Sequence, residues 1–177
     1  MNICVFGAAS NSIDEAYLRA GRALGRELGQ RGHTLIFGGG AGGLMGAVAA
    51  GITEAGGKCI GVVPSFLDVD GALFTDCTEL VHTDTMRDRK QTMEERADAF
   101  VMTPGGIGTY EEFMEILTLR HLGRHEKPIA VLNTLGYFDD LDTMLRHAAE
   151  KGFLPAKDLQ LYRSFETPSA LLDALES

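Results

Sequence analysis

The sequence has no surplus of positive charge: 16 lysines and arginines stand against 25 aspartates and glutamates, for a formal net charge of −9. A phosphate backbone or an anionic bilayer needs a basic face, so nucleic acid and membrane surface are excluded as main partners. One small phosphorylated ligand, held by a few local groups, is not. Cysteine is also scarce. Cys4, Cys59 and Cys77 make no Cys-x-x-Cys pair and no even framework, which places the chain in a reducing, cytoplasmic setting. No apolar run approaches the roughly 18 residues of a membrane span, and the first residues read as a strand, not as a basic-then-apolar signal. No Gly-Lys-Ser or Gly-Lys-Thr occurs, so a P-loop is absent. Internal repeats, low-complexity tracts and linkers are missing too. The 177 residues are therefore expected to form a single domain over 1–177.

Glycine is what the chain has in quantity, 22 residues in clusters. The clusters fall between elements of alternating type. Asn2 to Phe6 reads as a buried strand. Ser12 to Glu15 has capping-box spacing, and Ala20, Leu24 and Leu28 carry a helix to about Arg31, where Gly32 ends it. Thr34 to Phe37 is a second strand, followed by the run Gly38 to Gly46 and a small-residue helix to about Ala55. Lys58 to Val63 is a strand stopped by Pro64. Ser65 to Thr78 reads as a long irregular loop, Glu79 to Thr83 as a weak strand, and Met86 to Ala97 as a polar helix. Ala99 to Met102 is a strand, with a helix after it to about Leu122. Ile129 to Leu132 and Phe138 to Lys151 add a strand and a helix, and Thr167-Pro168 opens a last helix. Strand and helix in alternation predict a single Rossmann-like, doubly wound parallel sheet with helices on both faces.

Two glycine-rich turns, Gly38 to Gly46 and Pro104 to Thr109, each join a strand to a helix. Ligands bind such sheets at the carboxyl ends of the strands. Glycine lets backbone approach closely there, and free N–H groups at a helix start attract an anion. Two such turns in one short chain favour a phosphate site over plain tight turns. Gly38, Gly40 and Gly43 fit G-x-G-x-x-G, yet the match follows the second strand. The next strand ends Val62-Val63-Pro64, with no acidic residue for a ribose hydroxyl, so a dinucleotide is disfavoured. In Met86-Arg87-Asp88-Arg89-Lys90, Arg89 and Lys90 sit where a helix starts at the same sheet edge, and Arg89 can clamp phosphate or sugar hydroxyls. Glu112 has two readings. Thr109-Tyr110-Glu111-Glu112 has capping-box spacing, so Glu112 can simply cap its helix. Alternatively, as a carboxylate beside a helix N-terminus, it stays ionised and supports an oxocarbenium-like sugar. His121 and His125 have zinc-like spacing but no third ligand, and read as a polar helix end.

The segment Pro104-Gly105-Gly106-Ile107-Gly108-Thr109-Tyr110-Glu111-Glu112 matches P-G-G-x-G-T-x-x-E. With Arg89-Lys90 and Gly38 to Gly46 upstream, residues 1 to about 150 resemble the Lonely Guy family. Its members are cytokinin riboside 5′-monophosphate phosphoribohydrolases, often described as possible lysine decarboxylases. The resemblance implies hydrolysis of the N-glycosidic bond of AMP or an N6-substituted AMP, giving free base and ribose 5-phosphate. It assigns catalysis to Arg89 and Glu112, and the 5′-phosphate to Gly105, Gly106, Ile107, Gly108 and Thr109. Thr118 is implied to line the substrate site, and Met86, Lys90, Glu111, Gly39, Gly40 and Gly43 complete the candidate binding set. It also implies a homodimer with active sites near the interface, and neither metal nor organic cofactor. Pyridoxal chemistry would need a lysine, and Lys90 is already explained by its pairing with Arg89. The sequence departs from the family at Ala8-Ala9-Ser10, at Arg87 where histidine is usual, and at Ile107 where tyrosine is common. The rival reading is a non-catalytic nucleotide or molybdenum-cofactor carrier of related fold, which has no need of the Arg89/Glu112 pair.

Overall fold

The computed structural model describes residues 1–69 and 71–177; Asp70, inside the expected 65–78 loop, lies outside the described residues. Among the described residues, seven strands alternate with six α-helices. The strands are β1 (Asn2–Phe6), β2 (Thr34–Phe37), β3 (Lys58–Pro64), β4 (Glu79–Thr83), β5 (Ala99–Met102), β6 (Ile129–Leu132) and β7 (Arg163–Phe165). The helices are α1 (Glu15–Gln30), α2 (Gly43–Glu54), α3 (Met86–Arg96), α4 (Ile107–His121), α5 (Asp139–Glu150) and α6 (Pro168–Glu176). Every pairing in the sheet is parallel, in the order β4-β3-β2-β1-β5-β6-β7. The doubly wound α/β arrangement is therefore as expected.

The inner strands β1, β2, β5 and β6 are apolar on both faces because both are covered by helices. Along β1, Ile3 and Val5 point to one layer, packing with Leu24 and Leu28 of α1, Val48 and Ile52 of α2, and Leu171 of α6. Cys4 and Phe6 point to the other, with Met93 of α3, Phe113 and Ile116 of α4, and Leu141 of α5. Period-two alternation thus divides one run of apolar residues between two cores.

Two expected helix starts are corrected. The cap of α1 is Asp14, whose carboxylate accepts the Ala16 N–H at 2.7 Å, so Ser12 lies outside the helix. The cap of α4 is Gly106, and the helix is already running at Thr109. The capping-box reading of Thr109 and Glu112 therefore fails, since Glu112 sits beyond the first turn. By contrast, Thr167 caps α6 with Pro168 at its first position. The short edge strand β7 is an element that periodicity did not reveal.

The winding reverses at β1. From β1 the chain moves outward through β2, β3 and β4; β5 then returns to pair with the other side of β1. Adjacent loops leaving β1 and β5 diverge to opposite faces, opening a crevice where such sheets bind ligands.

Candidate active site

That crevice is a cavity of about 560 Å³, large enough for a nucleotide-sized ligand. Gly7 to Ser10, from the loop after β1, form one wall. Gly38, Gly40 and Met45 form the next, and Met86, Arg89 and Met93 of α3 the floor. Gly106, Gly108, Thr109 and Glu112 close the fourth side. Leu67, Val69, Ala72 and Leu73 complete an apolar rim, drawn from the stretch expected to be irregular. That stretch is anchored: the Phe74 N–H donates to the Gly39 carbonyl and the Ala41 N–H to the Ala72 carbonyl, both at 2.9 Å.

Arg89 and Glu112 meet at the floor. Helix α3 starts at a full capping box, with Thr85 and Asp88 exchanging side-chain and backbone bonds. This fixes the first turn and aims Arg89 inward. Its Nε donates to the Val62 carbonyl at 3.1 Å, and its Nη1 to Glu112 Oε1 at 2.8 Å. The two side chains are only 10% and 12% exposed. Gly38 permits this placement, because a Cβ there would strike Arg89 Nη2. Burial pushes the Glu112 carboxyl above the usual carboxylate range, against the opposing pull of the Arg89 guanidinium. A buried carboxyl facing a cavity with a raised pKa is a stronger proton acceptor than a surface glutamate.

The two glycine-rich turns are not equivalent. At the start of α2, the Gly43 N–H donates to Asn11 Oδ1 at 2.8 Å and the Met45 N–H to the Ala8 carbonyl at 3.0 Å. Gly43 adopts φ +60° and packs against the Ala8 and Ser10 carbonyls. Two of this turn's donors, the Gly43 and Met45 N–H groups, hold the β1 loop. Gly39 turns with φ +75° against Val63, outside the cavity lining, and Gly40 alone of the three candidates there lines it. At the start of α4, the N–H groups of Gly106, Ile107 and Gly108 have no protein acceptor among the described residues. The turn at α4 is therefore the one whose successive free donors could receive an anion.

Several other expected site residues lie elsewhere. Gly105 is buried behind the loop, where a Cβ would strike the Thr109 hydroxyl. Ile107 projects into solvent at 89% exposure, leaving only its backbone for the cradle. Lys90 turns away from the cavity to pair with Glu111 at 2.5 Å and Glu115 at 2.9 Å. Thr118 is exposed and lies six residues, or about 9 Å of helix, beyond Glu112. Glu111, Glu115 and Thr118 recur at helical spacing along one face of α4, away from the cavity of their own chain. His121 Nδ1 lies 2.6 Å from Asp158, and His125 Nε2 donates to the Ile116 carbonyl. Sequence reasoning missed Ala8, Ala9 and Ser10 as a wall; the signal was the glycine directly after β1 at the point where the sheet order reverses.

The family model for possible lysine decarboxylases matches residues 45–175. A probable cytokinin riboside 5′-monophosphate phosphoribohydrolase of Oryza sativa subsp. japonica is 37% identical over 98% of this chain and 82% of its own length. A cytokinin riboside 5′-monophosphate phosphoribohydrolase of Mycobacterium marinum is 41% identical over 86% of this chain and 81% of its own. Among solved structures, the molybdenum cofactor binding protein of Rippkaea orientalis superposes with TM-score 0.77 at 19% identity, over 99% of this chain and 94% of that one. That likeness concerns the fold alone.

Proposed function

The chain belongs to the Lonely Guy family of cytokinin riboside 5′-monophosphate phosphoribohydrolases, and on that premise we propose that it hydrolyses the N-glycosidic bond of a nucleoside 5′-monophosphate. The substrate class is AMP or an N6-substituted AMP. The observation that carries this reading is the buried Arg89–Glu112 pair, open to the cavity beside the N–H groups of α4 that have no acceptor among the described residues. The 5′-phosphate sits on Gly106 to Thr109, and the sugar reaches inward to Glu112. As the C1′–N bond breaks, positive charge grows on the ribose, and the carboxylate stabilises it. Glu112 accepts a proton from the attacking water; the hydroxyl joins C1′, the base leaves with the bond's electron pair, and the proton held by Glu112 passes to the base, restoring the carboxylate. Arg89 orients Glu112 and balances its charge. A pure carrier gains nothing from a buried carboxylate at the ligand's sugar, and the carrier reading rests on fold likeness alone.

The protein acts as a cytoplasmic homodimer. The free cysteines fit a reducing compartment, and no helix among the described residues is long and apolar enough to cross a membrane. Thr118, Lys90 and Glu111 are useful to a substrate site only if a second copy brings its cavity to that face of α4. The test is kcat/KM for AMP against adenosine. Charge-assisted phosphate contacts contribute several kcal/mol, so AMP is preferred by roughly a thousandfold or more. Equal values for the two would remove the phosphate cradle from the mechanism.

A further inference from the structure

The Gly105–Gly106 peptide is the unit of the cradle with the least side-chain restraint. Its two faces have opposite duties. In a planar trans peptide, the carbonyl and the following N–H point in opposite directions. Here the Gly105 carbonyl points away from the cavity and accepts the Tyr137 hydroxyl at 2.8 Å. The Gly106 N–H is thereby turned to the cavity side, which Gly106 lines. Rotating this peptide by half a turn would carry Gly106 from φ −96° into the left-handed region, which glycine alone enters freely. A flipped peptide would aim a carbonyl oxygen at the phosphate where an N–H should be. The same glycines that let the backbone approach an anion therefore leave its polarity unfixed.

Tyr137 is placed with some care. It follows a tight turn after β6 in which Leu135 and Gly136 both take positive φ, 55° and 70°. Asn133 fixes the exit of the turn, accepting the Phe138 N–H at 2.7 Å. The Tyr137 ring is held edge-to-face by Phe138 at 4.9 Å and Tyr17 at 5.7 Å. The turn, stacking and hydrogen bond converge on one atom, the Gly105 oxygen. We propose that Tyr137 is a positioning residue for this reaction, whose hydroxyl locks the Gly105–Gly106 peptide so that the Gly106 N–H faces the substrate phosphate. This rests on the function proposed above. A hydrogen bond to the carbonyl also polarises the peptide and strengthens the N–H as a donor to an anion.

The test compares wild type with Tyr137→Phe, which keeps the ring packing. Inorganic phosphate is titrated by NMR against the Gly106 amide, kcat/KM is measured on AMP and on adenosine, and Tm is recorded. The expected result is a loss of about tenfold in both phosphate affinity and kcat/KM for AMP, with adenosine turnover unchanged and Tm lowered by no more than about 4 °C, the effect of one lost hydrogen bond. Unchanged phosphate affinity overturns the proposal. So does a parallel fall in AMP turnover, adenosine turnover and Tm, which would mark Tyr137 as merely structural. If wild type releases no base from AMP, the functional reading fails, while the phosphate titration still decides the role of Tyr137.

Discussion

Replacing Glu112 by Gln removes a charge and almost nothing else. The amide oxygen can still accept the Arg89 Nη1 bond that spans 2.8 Å. What disappears is the negative charge facing the ribose as positive charge grows there. A unit charge about 4 Å away, at an effective dielectric of about 20, is worth about 4 kcal/mol. Arg89 cancels part of this, so the expected loss in kcat is about 100- to 1000-fold. Stability should hardly move. Burial raises the Glu112 pKa despite Arg89, so the fold favours the protonated form. The stability tied to that proton is greatest at low pH and is lost as pH rises through the raised pKa. A neutral glutamine avoids that cost at pH 7, which offsets the lost attraction to Arg89. The Tm should stay within about 4 °C, the equivalent of about 1 kcal/mol for a chain of this size. Single-turnover base release, measured beside a thermal melt, reads both quantities. A variant that melts well below wild type yet keeps more than a tenth of its turnover would refute the electrostatic role.

Arg89→Ala should lose most activity and also lower Tm, because it strips a buried carboxylate of its partner and the Val62 carbonyl of its donor; full activity in the folded fraction would count against it. The pH profile of kcat/KM should fall on the acid side above the usual carboxylate value of about 4.3, since Glu112 must be deprotonated and burial raises its pKa; an acid limb at or below that value would contradict a buried base. Gly106→Val should fold normally, as an added Cβ meets nothing within 4 Å, yet it should abolish AMP turnover by filling the cradle; retained AMP activity would move the phosphate elsewhere. Light scattering should give about twice the 19.1 kDa chain mass at micromolar concentration; a monomer would separate Thr118 from the site.

The sheet was legible because buried parallel strands are short, apolar and regularly separated by helices, and because Gly32, Pro64 and Pro168 punctuate them. Strand β7 was not, since Arg163-Ser164-Phe165 has no pattern of its own and is set by pairing with β6. Spacing also misled at two helix starts. Ser12 and Thr109 both precede a glutamate at capping distance, yet Asp14 and Gly106 take the caps. At Glu112 that error concealed the more informative fact, since only the fold brings α3 and α4 together and converts a capping candidate into half of a buried ion pair. The glycine turns were recognisable as anion-binding candidates, but their donors could not be assigned from the chain alone. Asn11 and Ala8 take two of those at α2, and both act from the loop after β1, far away in sequence.

Phosphoribohydrolase activity is read by incubating the wild-type protein with a panel of nucleoside 5′-monophosphates and separating the products by chromatography. The expected products are free base and ribose 5-phosphate in equal amounts from AMP or an N6-substituted AMP, accumulating over many turnovers. Intact nucleotide recovered from every member of the panel, even where it binds, would contradict that activity.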